Sequence, residues 1–231
     1  MDLSIVIPTY NESSNLAVLV QRISSALSAI AGIRHEIIFV DDSTDDTPEV
    51  LQKLSEEYRE VIFFHRHNMR GLGSAVVEGF KQSSGKWLVV MDADLQHPPE
   101  LLPDIVKKLE AGSEIVIPSR FVKGGSDGGL NLSRKLVSLT ARRLAWLLVK
   151  PLRGISDSTS GYFGLLREVI EGTDLQPSSW KILMEILVKG QYSKVLEIPY
   201  HFEARRAEDS KMNFREQWNF LQHLLMMRFS K

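Results

Sequence analysis

Trp87-Leu88-Val89-Val90-Met91-Asp92-Ala93-Asp94-Leu95-Gln96-His97-Pro98-Pro99-Glu100 passes from an unbroken apolar run to a pair of carboxylates and then to two prolines. Five apolar residues in a row have the length of a strand buried on both faces. Pro-Pro-Glu is a favoured first turn, so a helix is predicted from about 98 to 111, with Gly112 as a left-handed C-cap. A strand that delivers acids into a loop and then a helix is the unit from which parallel sheets are built.

The same rhythm runs outward from this stretch. Strand-length apolar runs recur at Leu3 to Ile7, Glu36 to Val40, Val61 to His65 and Glu114 to Ile117. Between the first two, Leu16, Leu19, Val20, Ile23 and Leu27 follow i, i+3, i+4 spacing and predict a helix from Ser13 to Ile30. The expected class is α/β: a Rossmann-like, mostly parallel sheet flanked by helices.

A chain of 231 residues with 43% hydrophobic and 25% charged side chains can bury a full core, which excludes disordered and fibrous classes. We expect one large domain, residues 1–211, and a C-terminal amphipathic interface helix over 212–231, where Phe214, Trp218, Leu221, Leu225 and Phe229 fall near helical spacing. The absence of cysteine excludes disulfide frameworks, thiolate metal sites and cysteine nucleophiles. Twenty-eight basic against 29 acidic residues argue against a nucleic-acid partner. The N-terminus lacks the cationic region of a signal peptide. The six apolar residues Leu144 to Val149 fall far short of the roughly 20 needed to span a bilayer.

One local basic patch stands out. From Gly128 to Ser156 there is no acid, while Arg134, Lys135, Arg142, Arg143, Lys150 and Arg153 alternate with leucines, valine and Trp146. The stretch reads either as a basic amphipathic helix for an anionic membrane surface or as a helix with one core face and one solvated face.

The chemistry concentrates where strands end. Acidic clusters follow the first strand (Pro8-Thr9-Tyr10-Asn11-Glu12), the second (Asp41 to Thr47) and the central one (Asp92 to His97). In open α/β sheets ligands sit outside the carboxyl ends of strands. Asp92 and Asp94, two residues apart, repel each other unless a cation lies between them. Oxygen ligands with positions left for phosphates suit Mg²⁺ or Mn²⁺, and Gln96 offers a further oxygen. The other reading makes these aspartates turn formers and a helix N-cap. No Gly-x-Gly-x-x-Gly follows the first strand, which weakens a nicotinamide-binding reading, and Gly71-Leu72-Gly73 reads as a tight helix entry near a nucleotide pocket. Six scattered histidines without a His-x-x-x-His pair, and no Gly-x-Ser-x-Gly elbow, leave zinc and hydrolase chemistry without support.

Taken together, Ile5 to Glu12, Asp41-Asp42, Met91 to Glu100, Ser119 to Gly125, Arg134-Lys135, Ser160-Gly161-Tyr162-Phe163 and Lys181 to Leu187 resemble the inverting GT-A glycosyltransferases of family 2, and within them the polyprenyl-phosphate mannosyltransferases. The resemblance implies a nucleotide site at Pro8, Tyr10, Glu12, Val40, Asp42 and Asp92, and a metal site at Asp92, Asp94 and Gln96. It also implies an acceptor-phosphate site at Arg120, Arg134, Ser138 and Arg205, with Asp92, Asp94, Arg120 and Arg134 carrying catalysis. The donor it implies is GDP-mannose, the acceptor a polyprenyl (dolichyl) phosphate, and the cofactor Mg²⁺ or Mn²⁺.

The implied reaction needs no general base, because a phosphate monoester is already largely dianionic at neutral pH. Alignment for in-line attack and stabilisation of the departing diphosphate suffice, and one displacement inverts the anomeric carbon. The implied location is the cytoplasmic face of a membrane, held peripherally, through a membrane-anchoring partner or through transmembrane helices beyond this sequence. Two departures stand out: Asp41 to Thr47 reads one residue shorter than the usual Asp-Asp-Gly-Ser-x-Asp pattern, which touches Asp45, and Glu208 replaces the usual glycine before Ser210-Lys211. Three other readings stay open: the same mechanism with UDP-glucose or another nucleotide sugar, a membrane-surface binding module, and a nicotinamide-dependent oxidoreductase.

Overall fold

A computed structural model describes residues 1–67, 71–126, 128, 143, 145–176 and 181–202. Strands β1 (Leu3–Thr9), β2 (His35–Asp41), β3 (Val61–His65), β4 (Trp87–Val90), β5 (Ile115–Ser119), β6 (Phe163–Leu166) and β7 (Val195–Pro199) form one sheet. Its order is β3-β2-β1-β4-β6-β5-β7. Only β6 runs against the rest, pairing antiparallel with both β4 and β5, while the other neighbours pair parallel. The mostly parallel α/β sheet expected from the sequence is thus present.

Helices cover both faces. Along β1, Leu3, Ile5 and Ile7 point to one side, where they pack with Leu16, Leu19, Val20, Ile23 and Leu27 of α1 (Ser13–Leu27), with α2 (Thr47–Glu57) and with α4 (Leu102–Glu110). Val6 points to the other side, against Val76 and Phe80 of α3 (Leu72–Gln82) and the cluster that holds α5 (Ile182–Lys189). This alternation is the two-residue period of a strand buried on both faces. Helix α4 is preceded by a 3-10 turn at Pro99–Leu101, and Gly112 at φ +86° closes it as the sequence predicts. Helix α1 stops at Leu27, three residues short of the predicted end, and the chain turns before β2.

A buried carboxylate ties the edges of the core together. Burial pushes Glu36 up, yet hydrogen bonds donated by Ser4 Oγ (2.6 Å), Ser84 N (2.7 Å) and Ser84 Oγ (2.9 Å) hold it below the usual carboxylate value. Gly85 N then donates to Ser4 Oγ at 2.8 Å, which brings its backbone so close that a Cβ would lie 2.6 Å from Ser4 N.

No helix among the described residues is long and apolar enough to cross a membrane. Arg134, Ser138, Arg205, most of the basic stretch and the helix expected over 212–231 lie outside the described residues.

Because the two atoms nearest that Cβ, Ser4 N and the Leu3 carbonyl carbon, are backbone and cannot swing aside, Gly85→Ala is expected to lower stability by about 1–3 kcal/mol. A urea-unfolding midpoint unchanged from the parent chain would refute this close-approach account.

Candidate active site

Three adjacent parallel strands, β2, β1 and β4, end on the same side of the sheet, and their exit loops line a cleft of about 400 Å³. Pro8, Thr9, Tyr10 and Glu12 come from the β1 exit, Asp42 from β2, and Asp92, Ala93 and Asp94 from β4, while Gly71, Leu72 and Ala75 at the start of α3 close the fourth side. The cleft occupies the position expected for ligands in an open α/β sheet.

Hydrogen bonds stitch these loops together. Asn11 N donates to Ser43 Oγ (2.8 Å), Thr44 N to Asn11 Oδ1 (3.0 Å) and Glu12 N to Thr47 Oγ1 (3.1 Å), while Glu12 Oε2 accepts from Asn15 Nδ2 (2.6 Å). Asp45 accepts from Thr47 N at 3.0 Å and so serves as the turn that starts α2. Buried Asp41 accepts from Thr9 Oγ1 (3.0 Å) and Ser43 Oγ and lies 2.6 Å from His65 Nδ1. Tyr10, 49% exposed, stands at the cleft mouth.

Asp42 does not face the cleft alone. Arg66 grips it with two parallel bonds, Nε to Oδ1 at 2.7 Å and Nη2 to Oδ2 at 2.6 Å, with both side chains almost wholly buried. The same guanidinium donates to Ser74 Oγ (3.1 Å) and to the Gly71 carbonyl (3.4 Å). One cation therefore joins the β2 wall to the α3 wall, in the fork geometry that suits arginine.

A second fork lies at the end of β5. Arg120 donates Nε and Nη2 to the two oxygens of Asp157, each at 2.8 Å, and sits 5.4 Å from the Phe202 ring centroid. Asp157 is fixed in turn: Glu197 accepts from its backbone N (2.9 Å) and from Ser156 N (2.8 Å). Beside this pair stands Lys181. Desolvation, reinforced by the Arg120 charge and opposed by Asp157, brings its ammonium down from 10.5 to about 7.

The glycosyl transferase family 2 profile matches residues 4–173, which contain β1 to β6 and the whole cleft. The chain belongs to glycosyl transferase family 2. Among its curated relatives are proteins named dolichol-phosphate mannosyltransferase. That of Pyrococcus furiosus is 46% identical over 97% of this chain, which spans 63% of that relative's length. Those of Mycosarcoma maydis and Saccharomyces cerevisiae are 36% and 33% identical over 96% and 97% of this chain and 77% and 86% of their own. Among solved structures, glucosyl-3-phosphoglycerate synthase from Mycobacterium tuberculosis, crystallised with Mn²⁺, UDP-glucose and phosphoglyceric acid, matches with a TM-score of 0.74. It is 19% identical, covering 98% of this chain and 79% of that one, a likeness of fold.

Within this family 2 fold, the structure brings Pro8, Tyr10, Glu12, Asp42, Asp92 and Asp94 to one cleft. Val40 is placed differently: its side chain is buried with Ile38 and Ala75, behind the wall, and does not line the cleft. Gln96 is also absent from the lining, and its backbone N donates to Asp94 Oδ1 at 3.1 Å. Arg120 points to Asp157 outside the lining residues, whereas Gly71 and Leu72 do line the cleft, as the glycine-rich helix entry suggested. Arg66, Asp157 and His97 join the site only through the fold. The first two lie 24 and 37 residues from their partners, and no local spacing announces them. Among the described residues no three His, Asp or Glu cluster as a closed cation cage.

Lys181 gives these neighbours a pH signature. The folded chain releases this proton near 7 and the unfolded chain only near 10.5, so unfolding takes up a proton in between. Stability should therefore rise with pH through that window, with the full penalty below it. Relative to Lys181→Met, the wild type is expected to gain on the order of 2 kcal/mol from about pH 7 to about 9.5. Urea midpoints of the two chains that stay parallel across those pH values would contradict it.

Proposed function

We propose that the chain transfers mannose from GDP-mannose to the phosphate of a polyprenyl (dolichyl) phosphate, with inversion and with the help of Mg²⁺ or Mn²⁺. One observation carries the reading: a single cleft at the carboxyl ends of three neighbouring parallel strands brings Tyr10, Glu12 and Asp42 together with Asp92 and Asp94. The names of relatives 33–46% identical supply the sugar and the lipid acceptor.

The residues fit a hard divalent cation. Two carboxylates on one loop suit a metal that keeps waters and takes its remaining oxygens from a diphosphate. When bound, it would neutralise the charge that develops on the leaving diphosphate. The chain supplies the rest. Tyr10 offers a ring face for a base, and the carboxylates of Glu12 and Asp42 accept hydrogen bonds from base or ribose hydroxyls. Arg120 would meet the acceptor phosphate with Arg134, Ser138 and Arg205. Asp157 fixes the direction of its guanidinium, so little ordering is left to the moment of reaction. The acceptor oxygen attacks as a dianion, so no side chain has to remove a proton. The exposed side chains of Arg143, Leu147, Lys150 and Arg153 favour work at a membrane surface, peripherally and on the cytoplasmic side.

Incubation of the purified chain with Mn²⁺ or Mg²⁺, a short polyprenyl phosphate and either GDP-mannose or UDP-glucose reads the proposal directly. Sugar is expected in the lipid product from GDP-mannose, lost with EDTA and reduced at least about 100-fold by Asp94→Ala. Transfer from UDP-glucose alone would overturn the donor assignment, and full activity in EDTA the metal.

A further inference from the structure

The loop that carries Asp92 and Asp94 is closed by a side chain that never reaches the cleft. His97 is 3% exposed, and its Nδ1 accepts the backbone N–H of Asp92 at 3.0 Å. That bond requires the lone pair on Nδ1 and the ring proton on Nε2. The 3.6 Å approach of Nδ1 to Asp92 Oδ2 is therefore a packing contact and not an ion pair.

The ring has little freedom to turn. It stacks on Tyr162 at 5.1 Å between centroids and meets Tyr200 and Phe202 edge-on, each at 6.4 Å. Tyr162 in turn donates its hydroxyl to the carbonyl of Pro98 at 3.0 Å, which anchors the residue next to His97. Gly161 forms the last side: a Cβ there would stand 3.1 Å from Asp92 Oδ2 and 3.3 Å from His97 Cε1, so bare backbone packs against both carboxylate and imidazole.

Inside this frame the loop is wound tightly. Asp94 Oδ1 accepts Gln96 N, and Leu95 between them sits at φ +64°, a conformation a branched side chain holds only where its surroundings impose it. From the first acid to the imidazole, six residues are curled back so that the ring caps the amide of the residue that begins the curl.

We infer that His97 is the positioning residue of the cation-binding loop, setting the aim of the Asp92 carboxylate through the Nδ1 bond to its amide. This rests on the reading of Asp92 and Asp94 as metal ligands given above. Outer groups that orient a ligand commonly change metal affinity 10- to 100-fold when removed.

Two substitutions separate the bond from the packing. His97→Phe keeps a ring to stack on Tyr162 and removes the acceptor. His97→Asn places its Oδ1 where Nδ1 stood and removes the ring. In the presence of GDP, the Mn²⁺ affinity of the full chain, read by electron paramagnetic resonance, is expected to fall about tenfold or more in His97→Phe. GDP binding without metal should stay within about twofold, since the nucleoside walls are untouched. His97→Asn should keep Mn²⁺ affinity within about threefold of wild type while melting at a lower temperature. Wild-type Mn²⁺ affinity in His97→Phe, or equal loss in both variants, overturns the assignment. A wild-type chain that binds GDP but no Mn²⁺ overturns the metal reading itself, and the role of His97 with it.

Discussion

Strand β1 is hydrogen-bonded on both sides, as far as Thr9 on the β2 flank and as far as Val6 on the β4 flank, and the cleft exists because of it. The ladder continues past the regular pairing: Asp42 N donates to Thr9 O at 3.0 Å on one flank, and Met91 N to Val6 O at 3.2 Å on the other. Backbone amides in a dry core must be paired, so the three strands cannot slip against one another without leaving donors stranded. Fixed register decides where each strand ends. It thereby decides that acids from three distant parts of the chain emerge side by side.

Bringing carboxylates together is unfavourable, and the fold offsets this by pairing each buried acid with a partner of its own. Arg66 serves Asp42, Arg120 serves Asp157, and Thr9, Ser43 and His65 surround Asp41. Asp92 and Asp94 belong to a different class, being carboxylates of one short loop that both line the cleft. In the first group, geometry is rigid and solvent largely excluded, which makes each pair costly to break from one side. The second group is where a bound cation would change the local field most.

Much of this was legible in the sequence. The period of apolar residues gives β1 to β5, α1 and α4 to within a few residues, because strands and helices buried against a common core must show it. Strand β6 was not legible: it has four residues, Gly164 interrupts it, and it runs antiparallel between β4 and β5 only because the chain returns from a long excursion. The acids at the strand ends could be read because their position follows from the strands. Their partners could not, since Arg66 and Asp157 meet them only through the folded topology, and neither could the packing of Val40. Val40 pairs with Pro8 in the parallel ladder, and its side chain packs with Ile38 and Ala75 behind the cleft wall. His97 lies within the acidic motif itself, between Gln96 and Pro98. Its importance lies in a bond to a backbone amide, which residue type alone never reveals.

The fork between Arg66 and Asp42 also bears on how this cleft can change over generations. Replacing Asp42 strands a guanidinium that is buried and spans two walls, and replacing Arg66 leaves a buried carboxylate without its counter-charge. Each single step is therefore harmful although the double exchange need not be, the condition under which two positions become locked in sign epistasis. Tyr10, half exposed at the rim, is not part of this buried fork. Change in this cleft is thus easier at its exposed rim than at the buried fork, which single substitutions tend to leave unchanged.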